Sequence, residues 1–262
     1  SYAARCKTMT GCDSAHPTNM PDVPWDQYCA AAPCTNKIAP TFWTTQKLVT
    51  IQTKTMLNGA SANVDQYSLT QSITTPSDAS SGALWLDKIT HTGQVGGTVA
   101  LPSTNFTGSE YQNRVTPGDG LVQFMRKRIT RIQLDSGGLV YVNYLASNCS
   151  PTSLPASPQT DTMRCFQQRW TPQGGTERVE YFNKYAVASL IEDPYTAGPG
   201  QAFDQTYYDY SIGTPRWRLD TSPMTPDAKR TWGSWAGFSK VRVNHGDPGN
   251  PALQQSVEYT YF

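Results

Sequence analysis

The run from Phe238 to Phe262 alternates apolar and polar positions on both sides of a turn cluster. Val241 and Val243 alternate with Arg242 and Asn244, Gly246-Asp247-Pro248-Gly249-Asn250-Pro251 follows, and Val257, Tyr259 and Tyr261 alternate with Glu258 and Thr260. Period-two alternation about Gly, Pro and Asn predicts a β-hairpin. The outline recurs upstream. Lys47 to Thr55 is β-branched and alternating, Asn58-Gly59 signals a turn within Asn58 to Asn63, and Val64 to Ile73 reads as the return strand. Leu84 to His91, a turn at Gly93 to Gly97 and Thr98 to Leu101 predict a second unit. Arg128 to Leu134, Asp135 to Gly138 and Leu139 to Leu145 predict a third, and Lys184 to Glu192, Asp193 to Gly200 and Phe203 to Tyr210 a fourth. Five such units, unevenly spaced, predict an all-β fold of antiparallel strands whose repeated hairpins form a curved sheet.

The remaining stretches lack that period. Residues 1–45 hold four of the six cysteines, Pro17, Pro21, Pro24, Pro33 and Pro40, and the aromatics Trp25, Tyr28, Phe42 and Trp43. So many prolines exclude a central strand or a long helix, and the expectation is an irregular, disulfide-pinned cap whose aromatics lie on the sheet. Residues 46–262 form the hairpin-repeat region, with irregular inserts at 146–170 and 211–230.

Composition narrows the function classes. Charged residues are 16% of the chain, below the roughly 25% of an ordinary soluble domain, and a formal net charge of +1 supplies no field for nucleic acid or anionic lipid. Arg126-Lys127-Arg128 reads as a solvated strand entry. No apolar run reaches the length of a membrane span. Six cysteines permit 15 pairings, the simplest being Cys6–Cys12, Cys29–Cys34 and Cys149–Cys165, which implies an oxidising, extracellular compartment. A zinc site competes, without a Cys-x-x-Cys or a His at ligand spacing. The first residues lack a signal-peptide pattern and the chain ends inside an apparent strand at Tyr261-Phe262, so the expectation is a segment of something longer.

Several longer motifs carry a resemblance. They are Pro24-Trp25-Asp26-Gln27-Tyr28-Cys29 with Pro40-Thr41-Phe42-Trp43-Thr44-Thr45, Gly82 to Gly93 (GALWLDKITHTG), Asn113-Arg114-Val115, Arg164 to Gly175 (RCFQQRWTPQGG), Phe182 to Val187 (FNKYAV) and Arg230 to Val243 (RTWGSWAGFSKVRV). In these the chain resembles the RHS/YD-repeat family, in particular its large secreted, wall-associated, polymorphic-toxin-like members, from about residue 20 to the end. The resemblance implies a segment of a β-shell built from tyrosine-rich strands that encloses or presents a C-terminal effector, often a toxin. The family's short Tyr-Asp-x-x-Gly-Arg repeat is poorly kept: Tyr208-Asp209-Tyr210-Ser211-Ile212-Gly213 has one residue too many, and Thr214 stands in place of arginine. Asp247-Pro248-Gly249 lacks the spacing of the family's self-cleavage motif and reads as a turn.

Candidate chemistry is sparse. Tyrosines near or at i, i+2 spacing (Tyr141 and Tyr144, Tyr208 and Tyr210, Tyr259 and Tyr261) share strand faces and are expected to ladder against neighbouring units. Trp25, Trp43, Trp170, Trp217, Trp232 and Trp235 would serve a carbohydrate or cell-surface binding module if exposed. His16, His91 and His245 lack metal spacing, no Gly-x-Ser-x-Gly elbow supports a hydrolase triad, and Glu177 with Glu180, or Glu192 with Asp193, are the carboxylate pairs a glycosidase would need. Asp13, Asp22 and Asp26 lack the order of a calcium loop. The expectation is a structural, non-catalytic segment without cofactor or metal, partnered by other segments of its parent or its effector.

Overall fold

The computed structural model describes residues 1–7, 10–34, 42–115, 118–194, 203–247, 249 and 254–261. The turns expected over Asp193 to Gly200 and Gly246 to Pro251 lie largely outside these residues; Pro40, Phe262 and the Asp26 side chain lie wholly outside. The chain is all-β, with helix confined, among the described residues, to four single 3-10 turns.

The strands are β1 (Tyr2–Ala4), β2 (Gln46–Leu48), β3 (Thr50–Leu57), β4 (Ala60–Thr74), β5 (Ala83–Gly93), β6 (Val99–Ala100), β7 (Thr104–Gln112), β8 (Met125–Gln133) and β9 (Leu139–Tyr144). They continue with β10 (Cys165–Trp170), β11 (Arg178–Asn183), β12 (Val187–Asp193), β13 (Asp204–Asp209), β14 (Pro215–Arg218), β15 (Ser234–Phe238), β16 (Lys240–His245) and β17 (Gln255–Thr260). Hydrogen bonding orders the main sheet β17-β16-β13-β12-β9-β8-β7-β5-β4-β3, with β6 beside β5, while β1-β2, β10-β11 and β14-β15 form two-stranded ribbons. Neighbours are consecutive in the chain except where a ribbon intervenes and, between β5 and β7, where the short β6 does. That is a meander, the order short hairpin turns produce.

The chain divides into two compact units, residues 1–75 with 81–107 and 131–139, and residues 76–80 with 108–130 and 140–262. In the first, β3 and β4 are joined by a two-residue turn: Leu57 pairs with Ala60, and Asn58 and Gly59 take φ of 50° and 80°. Both central residues at positive φ is the turn whose twist matches a hairpin, so the reversal is confined to Asn58-Gly59.

The N-terminal stretch of this unit has a small core, Cys6, Met20 and Val23, with Trp25 and Trp43 packed against it. Trp25, Tyr28 and Trp43 meet edge to face at centroid distances of 5.7–6.0 Å. Disulfides Cys6–Cys12 and Cys29–Cys34 close its loops. An Arg5–Asp22 ion pair and an Asp22 carboxylate accepting from the Leu84 amide tie it to β5. It is not wholly irregular, since β1 pairs with β2.

In the second unit β12, β13, β16 and β17 run antiparallel side by side. Both stretches expected as irregular inserts contain ordered ribbon strands: β10 falls within 146–170 and β14 within 211–230. Trp235 lies in β15, opposite Trp217 of β14. β7 was also missed, because Thr-Asn-Phe-Thr-Gly-Ser-Glu-Tyr-Gln offers few apolar positions to alternate. Few side chains are fully buried, the largest being Arg114, Met20 and Cys165.

The third disulfide, Cys149–Cys165, spans 16 residues with Cα atoms 6.2 Å apart, and its Cys165 end is 0% exposed at the start of β10. Closing a loop of that length restricts the unfolded chain by about 3 kcal/mol. The double variant Cys149→Ser/Cys165→Ser is expected to lose about that much stability in urea unfolding, whereas a loss under about 1 kcal/mol would mean that the loop is held by other contacts.

Candidate functional site

The most concentrated set of charged groups is built on the β10–β11 ribbon. Its register pairs Trp170 with Arg178, Gln168 with Glu180 and Phe166 with Phe182; directly opposed residues share a face, so these six side chains stand together. Onto that face comes Arg114, whose residue bridges to Phe182 and whose neighbour Val115 donates its amide to the Tyr181 carbonyl. The Arg114 side chain is 0% exposed. Its Nε and Nη2 donate to the two Glu180 oxygens at 2.5 and 3.0 Å, and its Nη1 and Nη2 to the two Asp119 oxygens at 2.9 and 2.5 Å. The guanidinium also lies 5.1 Å from the Trp170 ring centre, and Trp170 Nε1 donates to Glu180 at 2.7 Å.

A buried cation with two bidentate carboxylates is a closed arrangement. Hydrogen bonds from Arg114 hold the Asp119 carboxyl down at about 2. Burial pushes Glu180 up, but the bonds from Arg114 and Trp170 outweigh it and the net shift is downward. Depressed carboxylates are poor proton donors near neutrality. Phe124 completes the cluster, wedged 5.1 Å from Trp170 and 5.9 Å from Phe182, although its φ of 52° is costly for a bulky residue.

A second set is aromatic. Tyr111 meets Tyr144 and Tyr185 edge to face at 5.3 and 5.0 Å, the Arg128 guanidinium lies 4.7 Å from the Tyr185 ring centre, and the Tyr144 and Tyr185 hydroxyls donate to the Ile129 and Gln112 carbonyls. Tyr208 and Tyr210 stack at 6.2 Å, and Tyr210 packs 4.2 Å from Phe238. In the degenerate Tyr-Asp stretch, Asp209 Oδ1 accepts from both the amide and the hydroxyl of Ser211, which ends β13 in a side-chain-capped turn. Gly213 is required there, because an added Cβ would lie 2.3 Å from the Lys240 carbonyl oxygen. Tyr259 and Tyr261 differ from these packed tyrosines: they are exposed, as is Val257, and all six residues of β17 are exposed.

None of the six candidate tryptophans is in the exposed class; Trp217 is buried and the others are half-buried. Trp217 stacks on Phe166 and meets Trp235 edge on, and Trp170 belongs to the arginine cluster. Trp232 lines a hollow of about 450 Å³ with Arg218 and Asp220. Glu177 and Glu180 hold different bases, Glu180 pairing with Arg114 and Arg178. Glu177 is bonded to Lys229 and Arg169 and its pKa is lowered, chiefly by Lys229. Glu192 stands opposite Asp204 across β12–β13.

His91 Nε2 donates to Asp65 Oδ1 at 2.8 Å and the ring stacks on Tyr67, a pairing the sequence concealed because 26 residues separate the partners. His16 bonds Asp13 and His245 bonds Thr206. Among the described residues no three His, Cys, Asp or Glu side chains gather as a metal-ligating group. No helix among them is long and apolar enough to cross a membrane, and the three disulfides fit an oxidising compartment. No family model, curated protein or solved structure matches the chain.

Two variants test these electrostatics. Removing one partner of a buried ion pair strands the other, so Glu180→Ala is expected to lower unfolding free energy by about 3–5 kcal/mol, and a loss below about 1 kcal/mol would contradict the cluster's structural role. Asp161, 5% exposed, has its pKa raised from 3.8 to about 6 by burial, only partly offset by the Met163 amide it accepts from. The unfolded chain ionises first, so this group costs stability as pH rises from 4 to 6 and keeps that cost above 6. Asp161→Asn, which retains the acceptor, is expected to be more stable than the parent by about 1–3 kcal/mol at pH 8, with the gain vanishing below pH 4. Equal stability at pH 8 in urea titrations would refute that placement of the carboxylate.

Proposed function

We propose that the chain is a structural, non-catalytic segment of a secreted β-shell of the RHS/YD-repeat kind, a wall that encloses or presents a C-terminal effector. The observation that carries this reading is β17, an edge strand whose Val257 and Tyr259, with Tyr261 just after it, are 47%, 48% and 60% exposed. An edge of that kind presents unpaired backbone groups and an apolar face that favour addition of a further strand. β3, at the other end of the strand order, likewise exposes Ile51, Met56 and Leu57. Three further features favour it: the meander order, the edge-to-face packing of Tyr111 against Tyr144 and Tyr185, and the closing of the ionised groups around one another. The partners are then other segments of the parent or its effector.

The carbohydrate-binding reading stands second, favoured by Trp232 and its hollow, and weakened by how much of the other five rings is engaged in packing. A hydrolase is disfavoured by the ion pairing of Glu177 and Glu180.

The edge reading is tested by light scattering on the isolated chain. The weight-average mass is expected to rise with concentration above that of the monomer, and Val257→Lys/Tyr259→Lys to hold it at the monomer value, since charge on an edge strand blocks pairing. A parent chain that stays monomeric over a wide concentration range would contradict the reading.

A further inference from the structure

Arg164 lies just before β10 and lines a cleft of about 460 Å³ with Asn148, Thr162, Tyr208, Tyr210 and Phe238, a volume in the range of small-ligand pockets. Its Nη2 donates to the Ala146 carbonyl, its Nε is buried and unbonded, and among the described residues no carboxylate pairs with it. Elsewhere the half-buried or buried arginines Arg5, Arg114, Arg169 and Arg230 each hold an acid, while Arg126 and Arg128 lie against the Phe124 and Tyr185 rings. Arg164 has neither. Burial pushes its pKa down, opposed by Tyr210. A partly desolvated guanidinium without an anion is a costly arrangement that a bound carboxylate would relieve.

The wall supplies what such a ligand needs. Asn148 Oδ1 is occupied by the Arg164 amide, which leaves the Nδ2 donor available, and the Thr162 hydroxyl has no partner among the described residues. Tyr208, Tyr210 and Phe238 form an apolar side on which a compact body can rest. Asp209, also on the wall, opposes a dianion, so a single carboxylate fits better than a phosphate.

We propose that this cleft binds a carboxylate-bearing ligand of about one residue's size, a sugar acid or an acidic peptide side chain, with Arg164 as its anchor. The site is independent of the edge strands and does not rest on the shell reading.

Calorimetric titration of the full chain with sodium glucuronate, with N-acetylglutamate N-methylamide and with glucose tests it. At least one of the two acids is expected to bind, the tighter one identifying the source of the carboxylate, and glucose is expected not to bind. Arg164→Gln is expected to weaken the acid about tenfold or more, the cost of one charge-assisted hydrogen bond. If that variant fails to fold, the exposed Thr162→Val decides, with an expected weakening of about threefold. Failure of both acids to bind at tens of millimolar, binding of glucose as tight as that of glucuronate, or unchanged affinity in the folded Arg164→Gln or, failing that, in Thr162→Val would overturn the proposal.

Discussion

A guanidinium taken wholly out of water must be matched where it lies, and Arg114 is the point at which this chain accepts that constraint. Its desolvation is compensated only if Asp119, Glu180 and the face of Trp170 converge on it together. That requirement fixes residues 113–115 and 118–124 against the β10–β11 ribbon, and it explains why Phe124 is held at a positive φ between two rings. Groups that in another setting would suggest acid–base chemistry are consumed here in neutralising one another.

The need for such a device follows from how little apolar volume is sealed away. Among the described residues, Val115, Val142 and Trp217 are the buried hydrophobic core side chains of the second unit besides Cys165, so much of its order rests on strand ladders, half-buried rings and local closures. Packed tyrosines supply contact area while their hydroxyls reach backbone carbonyls, as Tyr144, Tyr185 and Tyr210 do, which lets a large ring sit partly inside without leaving a polar atom unbonded. Where that pattern reaches β17, Tyr259 and Tyr261 are left exposed. Stability inside the sheet and adhesiveness at its edge thus come from the same residues.

Strong local signals were readable in the sequence. Asn58-Gly59 located a two-residue reversal, alternation in Arg128 to Leu145 located β8 and β9, and cysteines five, six and sixteen residues apart formed the three bridges. Signals that depend on partners far along the chain were not readable. β10 hides its alternation behind Gln167, Gln168 and Arg169, and β7 offers only Phe106 and Tyr111 as large apolar positions. Arg114 looks like one arginine among many until Glu180, 66 residues away, is placed beside it; a lone arginine near an Asp and a Gly-rich turn carries no local pattern. The resemblance did mark Asn113-Arg114-Val115 and Arg164 to Gly175, but as motifs without a physical role.

The claim that these charges act as cement and not as reactive groups is tested most directly by amide hydrogen exchange on Arg114→Met beside the parent chain. The account predicts that protection falls selectively in residues 118–124, β10 and β11, with β3 to β5 unchanged, because removing the cation unfastens the ribbon locally. Protection in the ribbon equal to that of the parent would contradict it, and would return Asp119 and Glu180 to consideration as groups kept for chemistry.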